Sequence, residues 1–229
     1  MKLNTLTDVG VKRSENQDNY WGAILSVDGE EAGIICLCDG MGGLNNGGLA
    51  SKIVVESVRD SIKMGIDFLE LSEVISQANK TIYELALQEK QRMGTTCTVL
   101  LCYKGKYQIY HVGDSRCYLL KGNSFNSLTT DHSALNKYKI VREEDEKLWR
   151  RYKNSLTRCI GVKPTVQLDY YQGDYEQGDV FLTCSDGMWH YFEGKTLFKF
   201  SELFDLDGLI RNCIKEGETD NITGGILCV

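Results

Sequence analysis

Short apolar runs, rich in β-branched and aromatic residues, are separated by turn signals along most of the chain. They predict β-strands over residues 33–38, 96–103, 107–112, 117–120, 165–171, 180–184 and 222–229. Turn sequences such as YKGKY and VGDSR leave only a few residues between consecutive strands. Because connections this short suit hairpins, we expect neighbouring strands to pair antiparallel.

Apolar residues recur at helical spacing in three further segments. Residues 49–62 and 71–86 each carry an apolar stripe, and Gly65 is placed to end the first helix. A shorter helix is predicted over 209–214, before Gly217. The two long helices adjoin in sequence and lie between groups of strands. The pattern therefore favours an α+β fold of packed antiparallel sheets covered by helices over alternating βαβ units.

The bulk composition excludes several classes of protein. The chain has 229 residues and no linker-like segment, so we expect a single domain over residues 1–229. A net charge of -6 gives no basic excess for binding nucleic acid or an anionic membrane. No apolar stretch approaches the roughly 18 to 20 residues that span a bilayer. The N-terminus lacks the apolar block of a signal peptide, so the expected location is the cytoplasm.

The chain contains nine cysteines, most of them inside apolar runs. Their number is odd and no two form a CxxC pair, which argues against a disulfide framework and against a structural zinc site. We expect the cysteines to be small buried hydrophobic residues in a reducing compartment.

Aspartates stand where several of the apolar runs begin or end. The sequence Asp-Gly-Met follows one run at Asp39 and another at Asp186. Asp114, Asp220 and Asp18 occupy comparable boundaries. Each aspartate alone is typical of a turn, because its side chain accepts hydrogen bonds from nearby backbone N–H groups.

Together the aspartates also suggest a metal site. If the strand ends converge, the carboxylates repel one another, and a divalent cation removes that penalty. Oxygen ligands suit Mg²⁺ or Mn²⁺. Gly40 has no Cβ, so its carbonyl could approach such a metal closely. Spacing along the chain does not prove that the strand ends converge, so simple turns and a metal site both remain open at this point.

A series of motifs extends over the chain from about residue 8 to residue 229: VKRSENQD, CDGMGG, MGTTCTVLL, HVGDSR, LTTDHS, LTRCIG, CSDGMW and DNIT. In this order they resemble the metal-dependent protein phosphatase family, the type-2C serine/threonine phosphatases, in its short bacterial form. The resemblance implies a four-layer αββα sandwich, in which two antiparallel sheets are flanked by helices. It also implies a metal cluster at one end of the sandwich and the hydrolysis of phosphoserine and phosphothreonine in proteins.

The resemblance further implies the ligands of two Mn²⁺ or Mg²⁺ ions. Asp39 would bridge the two ions, and Gly40 would bind one of them through its carbonyl. Asp186 and Asp220 would complete the first site. Asp18 would serve the second site, directly or through water.

Two more residues take their roles from the resemblance. Asp114 matches the position that, with Asp186, helps to bind a third and weaker ion in bacterial relatives. Arg13 matches the arginine that holds the substrate phosphate, although on its own it is typical of a solvated surface charge. The implied reaction is direct attack by a water that bridges two metal ions, without a phosphoenzyme. Where some family members carry a histidine as general acid this chain has Met41, so no protein general acid is predicted.

Residues 134–160 correspond to the flap beside the active site in the family. In a functional interpretation its basic residues would meet acidic or phosphorylated substrates: Arg150, Arg151 and Lys153. In the structural interpretation, which we favour, the segment is a solvated amphipathic helix with Leu148 and Trp149 packed inward.

No histidine is predicted to act directly in catalysis. His111 lies in a predicted strand and is expected in the core. His132 is expected to make local hydrogen bonds, and His190 is expected near the surface.

The leading hypothesis is an active phosphatase with phosphorylated proteins as substrates. A catalytically silent module that binds phosphoproteins is the alternative, but such a module would usually have lost Arg13 or a metal aspartate, and all are present. A third hypothesis is a hydrolase of small phosphate esters. Family analogy adds a serine/threonine kinase and its targets as partners, and a monomeric state.

Overall fold

Two five-stranded antiparallel β-sheets lie at the centre of the described part of the chain. The structure is a computed structural model, and it describes residues 1–41, 46–65, 67–142, 144–190, 198–199 and 204–229. The first sheet contains β1 (Lys2–Asp8), β6 (Arg116–Lys121), β7 (Ser124–Ser127), β9 (Val180–Cys184) and β10 (Ile222–Cys228), in the order β1-β10-β9-β6-β7. The second contains β2 (Asn19–Val27), β3 (Glu30–Cys38), β4 (Cys97–Tyr103), β5 (Lys106–Val112) and β8 (Asp169–Asp174), in the order β2-β3-β4-β5-β8.

Helices cover the outer faces of both sheets. The second sheet carries α1 (Gly47–Lys63) and α2 (Leu71–Gln88), and the 3-10 turn Phe68–Glu70 precedes α2. The first sheet carries α6 (Leu206–Lys215) and the short α5 (Asp186–Trp189). Two more short helices, α3 (Ala134–Tyr138) and α4 (Glu146–Tyr152), lie within residues 134–160, the predicted flap. The helices predicted over 49–62, 71–86 and 209–214 lie within α1, α2 and α6.

Apolar side chains fill the space between all of these layers. Between the sheets, Ile35 and Leu100 of the second sheet pack in one cluster with Phe181 and Leu227 of the first. Separate clusters join each sheet to its helices. The predicted four-layer α+β sandwich is therefore confirmed. Because the two sheets share an inner core, we propose that residues 1–229 form a single domain, with the flap at about 134–160.

The apolar pattern predicts the inner strands and misses the sheet edges. β1 and β7 are the edges of the first sheet, and β2 and β8 are the edges of the second. Their residues are half-buried or exposed, whereas the inner strands are mostly buried. An edge strand with a solvated face needs no continuous apolar run. The pattern therefore predicts none of β1, β2 and β7.

The strand predicted over 165–171 is wrong in its first half. β8 begins only at Asp169, while Val166 and Leu168 pack against the core beneath α1 and α2. Their apolar character reflects this packing and not strand pairing. Seven of the nine cysteines are buried, as expected, and Cys159 and Cys228 are partly exposed. No helix of the described residues is long and apolar enough to cross a membrane.

Candidate metal centre

Loops from both sheets bring five carboxyl groups together. Asp39 follows β3, Asp186 follows β9, and Asp220 precedes β10. Asp18 precedes β2, and Asp114 lies between β5 and β6. The charges of the other four all raise the pKa of Asp39, which shows that the groups are near neighbours.

Asp39 is held through its backbone by the strand opposite. Its N–H donates to Thr96 Oγ1 (2.9 Å), and its carbonyl accepts from the Thr96 N–H (2.9 Å) and from Thr95 Oγ1 (2.8 Å). The Thr96 hydroxyl also lies 2.7 Å from Ser115 Oγ. Burial, and then the charge of Asp18, raises the pKa of the Asp39 carboxyl well above its usual range.

Gly40 lies where two backbone segments come close. A Cβ at this position would stand 2.5 Å from the carbonyl oxygens of Gln17 and Gly47. The Gly40 N–H donates to the Gln17 carbonyl (3.2 Å), but no hydrogen bond to the Gly40 carbonyl is found among the described residues. That carbonyl is therefore available to a cation. Gly42 and Gly43 of the CDGMGG motif lie outside the described residues.

Asp18 is the most buried of the five carboxyl groups, at 5% exposed. Neither of its oxygens makes a hydrogen bond of good geometry within the described part of the chain, although the hydroxyls of Thr223 and Ser185 are near. Burial raises the pKa of Asp18 to about 7, the charge of Asp186 adds to the rise, and the two hydroxyls oppose it. A buried carboxyl without a partner is costly, and a bound cation would remove that cost.

Asp186 follows a strand of the first sheet, and Asp114 lies in the connection between the two sheets. Burial raises the pKa of Asp186 and the charge of Asp220 adds to the rise, while the nearby His190 and Asp39 side chains oppose it. Burial and the charge of Asp186 raise the pKa of Asp114 well above its usual range. The backbone carbonyl of Asp114 accepts a hydrogen bond from Trp189 Nε1 (2.9 Å).

Arg13 stands at the edge of the cluster and is paired with Asp220. Its Nε and Nη2 donate to the two carboxylate oxygens of Asp220, at 2.8 and 2.7 Å. This hydrogen-bonded pair raises the pKa of Arg13, and the charges of Asp186 and Asp39 add to the rise. The guanidinium is therefore near the carboxylates of Asp220, Asp186 and Asp39, and it forms a bidentate hydrogen-bonded pair with Asp220.

Asn221 holds the loop between β1 and β2, which carries Arg13 and Asp18. Its Nδ2 donates to the Glu15 carbonyl (3.1 Å), and its Oδ1 accepts from the Gln17 N–H (2.9 Å). Sequence reasoning missed this role and also that of Thr96. Both residues occur in quoted motifs, DNIT and MGTTCTVLL, but a motif does not show which distant backbone a side chain bonds.

The predicted ligands are neighbours, but their side chains are not arranged at metal-binding distances from one another. Among the described residues, no three acidic, histidine or cysteine side chains have the spacing of a metal-binding cluster. Carboxylates that repel one another stay apart, and Asp220 turns to Arg13 instead. The oxygen-only donors, the unpartnered Asp18 and the accessible Gly40 carbonyl fit a hard divalent cation. The individual ligand assignments remain a prediction.

The histidines lie where the sequence predicts them. His111 is buried in the core, and burial lowers its pKa to about 3. His132 Nδ1 accepts from the Gly113 N–H (3.1 Å), and His132 Nε2 bonds Asp169 (3.0 Å). His190 is exposed. His132 therefore fixes the backbone of Gly113, the residue that precedes Asp114.

The flap contains the predicted helix, but the helix does not pack as predicted. Leu148 is 38% exposed, so the expectation that it packs inward is wrong. No residue of α4 is buried, because the helix lies on the flap and not on a sheet. Trp149 is half-buried, and its ring lies 4.9 Å from the Arg142 guanidinium and 5.6 Å from Lys153 Nζ.

The two-sheet sandwich and the aspartates at its strand ends indicate a bacterial serine/threonine phosphatase. Comparisons with known proteins point to the same class. The sequence profile of protein phosphatase 2C matches residues 11–211. The protein phosphatase PhpP of Streptococcus pneumoniae is 32% identical over 97% of this chain and 95% of its own length. The crystal structure of serine/threonine phosphatase Stp1 from Staphylococcus aureus superimposes with a TM-score of 0.87 and 25% identity, over 100% of this chain and 94% of that one. The chain belongs to the protein phosphatase 2C family.

Proposed function

We propose that this protein hydrolyses phosphoserine and phosphothreonine in proteins, with Mn²⁺ or Mg²⁺ bound by the carboxyl cluster. The observation that carries the proposal is the gathering of five mutually repelling carboxyls beside an arginine fork. A phosphate dianion would not enter such a site unless cations offset the negative charge. The same site with cations bound would attract it.

The residues that would hold the cations are those of the cluster. Asp39, Gly40, Asp186 and Asp220 would hold the first ion, and Asp39 with Asp18 would hold the second. Asp114 would help Asp186 to hold a weaker third ion. Bound divalent cations would lower the pKa of a water and neutralise charge on the phosphoryl group.

Arg13 would bind the phosphate of the substrate. Its guanidinium now contacts two oxygens of Asp220, and two oxygens of a phosphate present the same geometry. At 41% exposed, the side chain is accessible to a substrate. If Asp220 held a cation, Arg13 would be free to bind the phosphate.

Direct hydrolysis fits the groups that the chain offers. Cys38 is the nearest thiol to Asp39 in sequence, but it is buried in the core beneath α1 and α2. Ser185 is buried, and its hydroxyl accepts the Thr223 N–H (3.0 Å). Neither group is presented as a nucleophile, so we propose attack by water without a phosphoenzyme.

Three further parts of the proposal rest on family analogy. A serine/threonine kinase and the targets of that kinase would be the partners in the cell. The protein would act as a monomer. Its location would be the cytoplasm.

Turnover of a phosphothreonine peptide, with Mn²⁺ and with EDTA, tests the function. We expect hydrolysis with Mn²⁺ and none with EDTA, and we expect Asp39→Asn to abolish it. Asp174→Asn is the matched control, because Asp174 is an exposed aspartate at the end of β8, paired with Lys106. A folded wild-type protein that hydrolyses no phosphopeptide with any divalent metal would point to the silent phosphoprotein-binding module. Faster turnover of nucleotides than of phosphopeptides would favour the small-ester hydrolase.

A further inference from the structure

A cleft of about 730 Å³ opens between the flap and the first sheet. Asp114 and Trp189 line it, so the cleft adjoins the carboxyl cluster directly. The flap side includes Lys139, Trp149 and Lys153. A cavity of this size accommodates several amino-acid side chains.

The floor of the cleft is a hydrogen-bonded unit. Arg116 donates through Nε (2.9 Å) and Nη2 (2.7 Å) to the two carboxylate oxygens of Asp131. The Arg116 guanidinium stacks 3.4 Å from the centre of the Trp189 ring, and Trp189 in turn donates to the Asp114 carbonyl. Arg116 and Asp131 neutralise each other. The floor therefore supplies a fixed shape, and the Arg116–Asp131 pair adds no net charge to it.

The wall that the flap supplies is basic. Lys139 and Lys153 are exposed, and neither is paired with a carboxylate in the part of the chain that the structure describes. Two of the flap arginines differ in this respect. Arg150 and Arg142 both face Glu146, at 2.7 and 3.8 Å. Among the described residues that line the cleft, Lys139 and Lys153 are therefore the cations that remain available to a ligand.

We propose that this cleft binds acidic side chains that flank the phosphorylated residue of a protein substrate. The inference rests on the proposed phosphatase function, which places the phosphoresidue at the neighbouring cluster. A peptide that leaves the cluster past Asp114 enters the cleft, where Lys139 and Lys153 complement aspartate or glutamate. The chain as a whole carries a charge of -6, so the positive charge of this wall is opposite to the net charge of the protein. Lys139 and Lys153 are thus specificity-determining residues and not catalytic ones.

The test compares phosphothreonine peptides that differ only in their flanking residues, which are glutamate in one peptide and glutamine in the other. We expect wild-type kcat/KM to be higher for the glutamate peptide, by roughly two- to fivefold for each lysine engaged. Lys139→Gln and Lys153→Gln should each reduce this ratio, and the double variant should bring it close to one. Raising the ionic strength should also bring the wild-type ratio closer to one, because salt screens the attraction between lysine and glutamate.

Lys147→Gln is the matched control, because Lys147 is exposed on α4 but does not line the cleft. The ratio of kcat/KM for the glutamate peptide to that for the glutamine peptide should be the same in Lys147→Gln as in the wild type. A charge reversal, Lys153→Glu, should favour a lysine-flanked peptide over the glutamate peptide. Circular dichroism checks that each variant is folded.

Hydrolysis of p-nitrophenyl phosphate separates the two proposals. If the wild type hydrolyses this small ester with Mn²⁺ but does not distinguish the peptides, the cleft proposal is wrong and the phosphatase proposal stands. If the acidic preference persists in the Lys139→Gln/Lys153→Gln variant, the lysines are not its source and the cleft proposal is again overturned. If no ester is hydrolysed, the phosphatase proposal itself fails.

Discussion

The two Asp-Gly-Met segments have the same sequence and a similar apolar strand before them, but the backbone continues differently after each. After β3, Asp39 continues the extended chain, and the Met41 N–H donates to the Gly94 carbonyl (3.0 Å). After β9, Asp186 begins the helical turn α5, and the backbone coils. Met41 is half-buried, whereas Met188 is fully buried in the core beside α6.

The partner strands explain this difference. Opposite Asp39 and Gly40, residues 94–96 run ahead of β4 and supply hydrogen bonds. Opposite Cys184, the last residue of β9, stands Arg116, the first residue of β6, so one partner ends there. Identical tripeptides thus deliver their carboxyls to one cluster by two backbone routes. Their tertiary neighbours decide the route.

The largest expected effect is on turnover. Asp39→Asn and Asp186→Asn should each reduce Mn²⁺-dependent phosphopeptide hydrolysis by about a hundredfold or more, because each removes a charge that a cation requires. In metal-free protein each variant should also raise the urea midpoint at neutral pH, because each removes a buried carboxyl whose pKa is raised. An unchanged midpoint in one variant would show that its carboxyl does not destabilise the metal-free fold.

The second prediction concerns Asp18, whose carboxyl interacts electrostatically with the aspartates of both segments. Its pKa rises from 3.8 to about 7 on folding, so the folded state holds the proton more tightly. The stabilisation is fully present below the unfolded pKa and is lost as pH rises through the folded pKa. Metal-free protein should therefore lose about 4 kcal/mol of stability from this group between about pH 4 and pH 8.

Urea unfolding in EDTA across this pH range measures the effect of Asp18. Asp18→Asn should flatten the pH dependence, and added Mn²⁺ should restore the stability of the wild type at high pH. An unchanged slope in Asp18→Asn would assign the pH dependence to other groups.

The third prediction concerns the glycines of the two segments. A Cβ on Gly40 would lie 2.5 Å from backbone oxygens of Gln17 and Gly47, and one on Gly187 would lie 2.1 Å from the Asn221 carbonyl oxygen. Backbone cannot move aside cheaply, so each alanine variant should lose about 2 kcal/mol or more of unfolding free energy. Gly48→Ala is the control, because its nearest contact would be an ordinary 3.5 Å and alanine suits a helix. A stable Gly187→Ala would show that this segment adapts where the other does not.

The smallest effect is expected from the hydroxyls that hold each segment. Thr96 Oγ1 accepts the Asp39 N–H, and Ser185 Oγ accepts the Thr223 N–H. Thr96→Val and Ser185→Ala should each cost about 1 to 2 kcal/mol by leaving a buried N–H without its acceptor. Thr96→Val should also weaken Mn²⁺ binding by about tenfold, measured by calorimetry. Ser124→Ala, which removes an exposed hydroxyl bond to the Lys121 carbonyl, should change neither quantity.

The sequence by itself determined the inner strands, the three main helices and the fold class. Inner strands are buried on both faces, and long helices bury one face, so each leaves a periodic apolar signal. The ordered motifs also identified the aspartates that the structure gathers, and those aspartates are chemically conspicuous where strands end. Edge strands such as β1 left no such signal, because their residues are only half-buried.

Only the tertiary structure decided how the carboxyls are held and which charges remain unpaired. Asn221 bonds residues 206 positions away, Arg13 pairs with Asp220, and Asp18 is buried without a hydrogen-bond partner among the described residues. In the flap, Arg150 is paired, while Lys153 is left facing the cleft. These outcomes depend on distances between segments far apart in sequence. A local pattern carries no information about such distances, because side-chain pairing is settled only when both sheets are in place.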